Sequence, residues 1–219
     1  MSVVRLIVAT RSSGLKENPS ILVYIWFSDE AWFHLSGYVN SQNSRIWGSE
    51  NPNAIHEEPL HSEKIGVWCG MSRRRIIGPI FFFYATIKTA AYMEIFNTFV
   101  NQLDDEELSI EYLQQDGATS HTSHASTVEI QSFFRNRVIS KGLWSPRSPD
   151  LTPPDYFLWG YLKGTVYRNK PRTIDALKAN ITEEIQAMTA ELLARTFQNM
   201  ARRVQSCLDA NGSHFQHML

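Results

Sequence analysis

The stretch ILVYIWFSDEAWFH, residues 21–34, decides the architecture. It is crowded with β-branched and aromatic side chains, which fit a pleated, half-buried surface, and so predicts a strand. Asp29 falls inside or just beside that strand. Glu30, one residue on, points to the other side of the sheet, because successive side chains alternate. Working outward, residues 35–63 contain Gly37, Gly48, Pro52 and Pro59 and read as loop, with a short strand at Arg45–Trp47. KIGVWCGM (64–71) and RIIGPIFFF (75–83) then read as a strand pair, with SRRR (72–75) near the turn between them.

Beyond this meander the period changes. AYMEIFNTFVNQL (91–103) places apolar side chains at 92, 95, 96, 99, 100 and 103, the spacing of a helix face. IEYLQQD (110–116) is a further strand candidate ending at an acid, and Gly117 permits a sharp turn after it. Residues 122–135 read as a helix and RVIS (137–140) as a fifth short strand. Trp144 to Pro154 is a loop with four prolines, and DYFLWGYLKGTVY starts a helix at Asp155 after Pro153 and Pro154. Helical segments over 173–188 and 190–209 close the chain. Asp104, Asp105, Glu106 and Glu107 form a dense acidic run, read here as loop and a solvated face. Strands come first as a meander and then alternate with helices, which predicts an α/β fold with a mixed sheet and helices packed on it.

Composition sets the frame. The chain has 219 residues, 43% hydrophobic and 20% charged, as expected of a packed globular protein. Its 21 basic and 22 acidic residues leave a net charge of −1. A free-standing nucleic-acid binder usually carries a basic excess, so this balance speaks against strong autonomous DNA affinity while allowing a local basic groove. Cys69 and Cys207 are far apart and suggest no disulfide framework, which fits a reducing compartment and makes the sequons at Asn180 and Asn211 chance matches. No apolar run reaches transmembrane length, so no membrane association is expected. Residues 1–20 read as an irregular arm and residues 21–219 as one domain.

Three acids sit at strand ends or a helix start: Asp29, Asp116 and Asp155. Hard divalent cations favour carboxylate oxygens and keep several waters. Two such ions about 4 Å apart can hold the attacking and leaving oxygens of a phosphoryl transfer. Position alone leaves a plainer reading open, since Asp is a common turn and cap residue and Asp155 fits an N-cap after prolines.

The wording around these acids is more specific. FSDEAWFHLSGYVNSQNSRIWGSENP, QQDGATSHTS and SPRSPDLTPPDYFLWGYLK resemble the catalytic domain of mariner-type transposases (the Tc/mariner superfamily), in the broad group sharing an Asp-Asp-Asp/Glu triad. The similarity runs from about Ile21 into the C-terminal helices. It assigns the triad to Asp29 of SDE, Asp116 of QDGA and Asp155 of PPDYF, rather than Asp150 of SPD. Asp155 stands where some relatives have Glu, and 38 residues lie between Asp116 and Asp155. The resemblance implies a ribonuclease-H-like mixed five-stranded sheet flanked by helices, and Mg²⁺ or Mn²⁺ as cofactor. It implies cut-and-paste DNA transposition, double-stranded DNA as partner and a nuclear location, with no small-molecule substrate. Two transposon ends must be held together, so a homodimer is the expected assembly.

His121, Arg147, Lys163, Arg168 and Lys170, with Arg172, are candidates for phosphate contacts, which position a duplex without reading it. A surface or cap role for His121, and a solvated basic face for the others, are the plainer alternatives. Trp144, Tyr156, Phe157 and Trp159 read as core packing rather than a base-stacking platform. His214 and His217 read as tail.

Only 28 residues precede Asp29, too few for the helix-turn-helix modules of a full transposase of this type. The expectation is therefore an N-terminally truncated transposase with at most non-specific nicking. A non-cleaving, host-adopted fragment that binds DNA or protein is the first alternative. Another nuclease on the same fold, such as a ribonuclease H or a resolvase, is the second.

Overall fold

In the computed structural model the described residues are 19–37, 63–83, 86–144, 148–211 and 215. The arm over 1–20 (save its last two residues), the short strand expected at Arg45–Trp47, and Arg147, His214 and His217 lie outside them. After a 3₁₀ turn at Pro19–Tyr24 come β1 (Ile25–His34), β2 (Lys64–Met71) and β3 (Ile76–Phe82). They are followed by α1 (Thr89–Val100), α2 (Asp105–Ile110), β4 (Tyr112–Gln114), α3 (Thr119–Thr122), α4 (His124–Phe134) and β5 (Val138–Ile139). A 3₁₀ turn at Pro149–Leu151 and a π turn at Pro154–Leu158 lead into α5 (Trp159–Thr165), α6 (Ile174–Gln186) and α7 (Ala190–Asp209).

The five strands form one sheet in the order β3-β2-β1-β4-β5. The meander gives antiparallel pairs, β1 with β2 and β2 with β3, while β4 and β5 run parallel to β1. Parallel strands need crossovers, and the helices between β3, β4 and β5 provide them. Gly66 on β2 is required by this packing: a Cβ there would lie 2.1 Å from the Phe82 ring on β3.

Side chains alternate across β1, so its two faces feed two cores. Ile25, Phe27, Ala31 and Phe33 join the C-terminal helices through Leu162, Ile181, Phe197 and Met200. Trp26 turns the other way, with Trp68, against Phe96 and Phe99 of α1 and Ile130 and Phe134 of α4. By this alternation Asp29 faces the C-terminal helices and Glu30 faces α1 and α3.

Two expectations need correction. The acidic run is not a loop but starts a helix, and although Asp104, Asp105 and Glu106 are exposed as expected, Glu107 is not. Asp104 caps α2 in a reciprocal capping box with Glu107, whose backbone N–H bonds the Asp104 carboxylate at 2.7 Å. Glu107 is buried and accepts from the Arg75 guanidinium at 2.6 and 3.1 Å. The D-x-x-E spacing was a helix-start signature, and Arg75 from the β2–β3 turn neutralises the acid that the burial would otherwise penalise. Ile110, read as strand, is accordingly the last residue of α2. The helix expected over 122–135 is also broken, because Ser123 has extended backbone and caps α4 through its hydroxyl.

Candidate active site

The sheet positions Asp29 first. β1 is central, held on both sides, with Asp29 opposite Cys69 of β2 and Phe27 opposite Gln114 of β4. The Ser28 hydroxyl donates to the Gln114 carbonyl at 2.9 Å, tying the ends of β1 and β4 together. Asp29 Oδ2 accepts from Trp159 Nε1 at 2.7 Å, a bond that spans 130 residues of sequence.

Asp116 follows β4 directly. Its Oδ1 accepts from the Ala118 backbone N–H at 2.9 Å, an Asx turn, and bonds His121 Nδ1 at 2.6 Å. The Ser140 hydroxyl, just after β5, donates to the Asp116 carbonyl at 3.0 Å. Thus the loop carrying Asp116 is held by its own turn and by the neighbouring parallel strand. Gln115 beside it is buried, accepting from the Tyr92 hydroxyl at 2.5 Å and donating to the His121 carbonyl at 3.1 Å.

Asp155 is the second residue of the π turn. Pro153 and Pro154 preset the backbone for a helix start, and the Asp155 and Tyr156 amides donate to the Thr152 carbonyl at 2.9 and 3.1 Å. Single π turns inside helices gather at functional positions, because the extra residue re-aims side chains. Here the Asp155 carboxyl comes beside Asp29, and loss of hydration followed by the Asp29 charge pushes it up to about 8.

All three acids line one cleft of about 490 Å³, whose wall also includes Lys141, Trp144 and Thr152. Its electrostatics are those of crowded like charges. Loss of hydration, then the charge of Asp29, pushes Asp155 up. Loss of hydration also raises Asp29, with Asp116 adding to it and the Trp159 bond opposing it. Asp116 behaves oppositely: partial burial works against its ionised form, but the bonds from His121 and Ala118 hold it below the usual carboxylate range. Among the described residues no three Asp, Glu, His or Cys side chains stand close enough to enclose a single ion. Asp116 is drawn toward His121, while Asp29 and Asp155 pair with each other.

The phosphate-contact candidates divide. His121 is not a surface histidine: it is 4% exposed, its ring lies 4.2 Å from that of Tyr92, and it serves Asp116 rather than solvent. Lys163 is half-buried over the Phe33 ring at 5.8 Å; desolvation pulls its pKa down, against the opposing charges of Asp29 and Asp155. Arg168, Lys170 and Arg172 are exposed beyond α5 and do not line the cleft. Trp144 and Trp159 are buried as expected, but Trp159 also binds an acid of the site.

Sequence reasoning missed Trp159 and Lys141. Trp159 lies four residues after Asp155, one helical turn, which was a readable signal of a shared face. Lys141 follows β5 at the carboxyl end of a parallel strand pair, where open α/β sheets collect ligands.

The comparisons with known proteins bear on the fold. No family model matches the chain. The Tc1 transposase of Caenorhabditis elegans is 28% identical over 193 residues, covering 86% of this chain and 68% of its own. The Mos1 transposase in its paired-end complex with the left transposon end superposes with a TM-score of 0.73 at 18% identity over 98% of the chain. The chain spans 61% of that protein's length. The Mos1 catalytic domain solved with raltegravir and Mn superposes at 0.70 and 17% identity, with 93% of that domain covered. The fold is therefore the ribonuclease-H-like fold of a transposase catalytic domain. In sequence the chain is similar to the Tc1 transposase over most of its length.

Proposed function

We propose that the chain is a divalent-metal-dependent DNA nuclease and strand transferase, performing the cleavage and joining steps of cut-and-paste transposition. The observation that carries this reading is the meeting in one cleft of Asp29, Asp116 and Asp155, from a central strand, a strand-end loop and a π turn. The donor set suits Mg²⁺ or Mn²⁺: all-oxygen, carboxylate-rich and open to water on one side. The raised Asp29 and Asp155 carboxyls also fit, because carboxylates crowded together favour the protonated form until a cation offsets their charge. Bound there, such ions would supply Lewis-acid charge for in-line displacement at phosphorus.

The chain's own residues do the rest. Trp159 holds one oxygen of Asp29, leaving the other toward the cleft. His121 and the Ala118 amide hold Oδ1 of Asp116. Lys141, at the cleft wall, offers a cation to a DNA phosphate, as does Lys163 near Asp29 and Asp155; Arg147, Arg168 and Lys170 extend that role to the flanking duplex. The Mos1 structures include a paired-end complex with transposon DNA, which supports double-stranded DNA as partner and a homodimer as the working form. Residues 21–219 form the catalytic unit in this reading, residues 1–20 an arm, and the site of action is the nucleus.

The test is nicking of supercoiled plasmid by the purified chain with Mn²⁺. Nicking abolished by chelation and by Asp116→Ala is the expected result. DNA binding without any metal-dependent nicking would instead favour a host-adopted, non-cleaving fragment. Stronger cleavage of an RNA–DNA hybrid than of duplex DNA would overturn the transposase reading in favour of a ribonuclease H.

A further inference from the structure

β1 sends Asp29 to the cleft and Glu30 to the opposite face, where a strand residue beside a catalytic acid would ordinarily be filler for the second core. Glu30 is not filler. Its Oε2 lies 4.0 Å from Nε2 of His121, and both atoms are buried without a hydrogen-bond partner. Two buried, unpartnered polar atoms facing each other cost free energy unless a proton stands between them. A side-chain shift of about 1 Å closes their 4.0 Å separation to hydrogen-bond distance, where a proton carried by either atom satisfies both. The other ring nitrogen, Nδ1, is already bonded to Asp116 Oδ1 at 2.6 Å, and the ring packs against Tyr92, its centroid 4.2 Å away and its plane tilted by 39°. Tyr92 is itself anchored to Gln115, next to Asp116.

We infer that Glu30 is a positioning residue: acting through the His121 ring, it fixes the ring tautomer with Nδ1–H on Asp116 and so sets the rotamer and basicity of that carboxylate toward a divalent cation. The inference rests on the metal reading above. Both faces of β1 then serve one site, Asp29 directly and Glu30 by relay. Outer partners of this kind orient metal-binding groups, and their loss typically weakens metal affinity about 10- to 100-fold.

The probe is Mn²⁺ alone, titrated into the full chain and followed by the electron paramagnetic resonance of free Mn²⁺, with thermal unfolding as a check on folding. Glu30→Met keeps the volume and removes the partner of Nε2; it should weaken Mn²⁺ binding roughly tenfold. Glu30→Gln also loses the charge, but its amide N–H can donate to Nε2. It should stay within about threefold of the parent, a rescue that a general charge effect cannot give. His121→Asn keeps a donor near the Nδ1 position and cuts the link to Glu30, so in that background Glu30→Met should change affinity less than about twofold. In plasmid nicking, Glu30→Met should raise the Mn²⁺ concentration for half-maximal rate far more than it lowers the rate at saturation. Equal affinities for the Met and Gln variants, or additive effects of Glu30→Met and His121→Asn, would overturn the relay while leaving the metal site intact. Unchanged Mn²⁺ binding in Asp116→Ala would overturn the metal reading and the relay together.

Discussion

At the residue scale the site is built from hydrogen bonds that each hold a single carboxylate oxygen. Trp159 to Asp29 is the clearest, at 2.7 Å from a buried indole. Trp159→Phe keeps most of the ring volume but leaves that oxygen unpartnered. It should cost about 1–2 kcal/mol in urea unfolding and lower the nicking rate by roughly an order of magnitude. The pH response follows from the direction of the shifts. Asp29 and Asp155 are raised when folded, as is Glu30 to about 7, chiefly through burial. Between the ordinary carboxylate range and these raised values the folded state binds more protons than the unfolded one, so stability falls as pH rises. His121, also raised, acts in the same direction. With chelator present, the thermal midpoint should fall from about pH 5 to about pH 8, and added Mg²⁺ should restore more of it at the alkaline end. A midpoint that rises over that window, or an Mg²⁺ effect independent of pH, would show that the acids are not crowded as described.

At the element scale the lesson concerns what periodicity can and cannot reveal. β1, β2 and β3 were legible because aromatic and β-branched runs are long there, and α1, α6 and α7 because apolar spacing persists over several turns. β4 and β5 are only three and two residues long, so their existence was legible but their ends were not. Glu107 and the helix start were misread because charge density was weighed above the capping signature, and the decisive partner, Arg75, lies about 30 residues away in sequence. Glu107→Ala should therefore cost about 2 kcal/mol, since it removes the cap's second half and two charge-assisted bonds. Urea unfolding monitored by circular dichroism measures it; a change within experimental error would return the run to a solvated face. The three acids were picked out by the wording around them and not by spacing; that all three line one cleft needed the fold. Trp159 was readable from its helical spacing after Asp155, but its bond to Asp29, Lys141 and the Glu30–His121 contact depend on which elements neighbour which, information that exists only once the sheet order is known.

At the scale of the whole molecule, the two cores on either face of one sheet keep three distant acids in register. Phe197 of α7 is buried at 5.8 Å from Phe27, two residues before Asp29 on β1. Phe197→Ala should cost about 3–5 kcal/mol and loosen β1 from behind, so that Mn²⁺ affinity falls along with the melting temperature. A destabilised variant with unaltered Mn²⁺ binding would show that the C-terminal helices stabilise the fold without shaping the site. The most direct test of the central claim is anomalous diffraction at the manganese edge from crystals soaked in Mn²⁺. The account predicts a peak in the cleft within coordination distance of Asp29, Asp116 and Asp155, lost in Asp116→Ala. A peak elsewhere, or one held by fewer than two of these carboxylates, would contradict it.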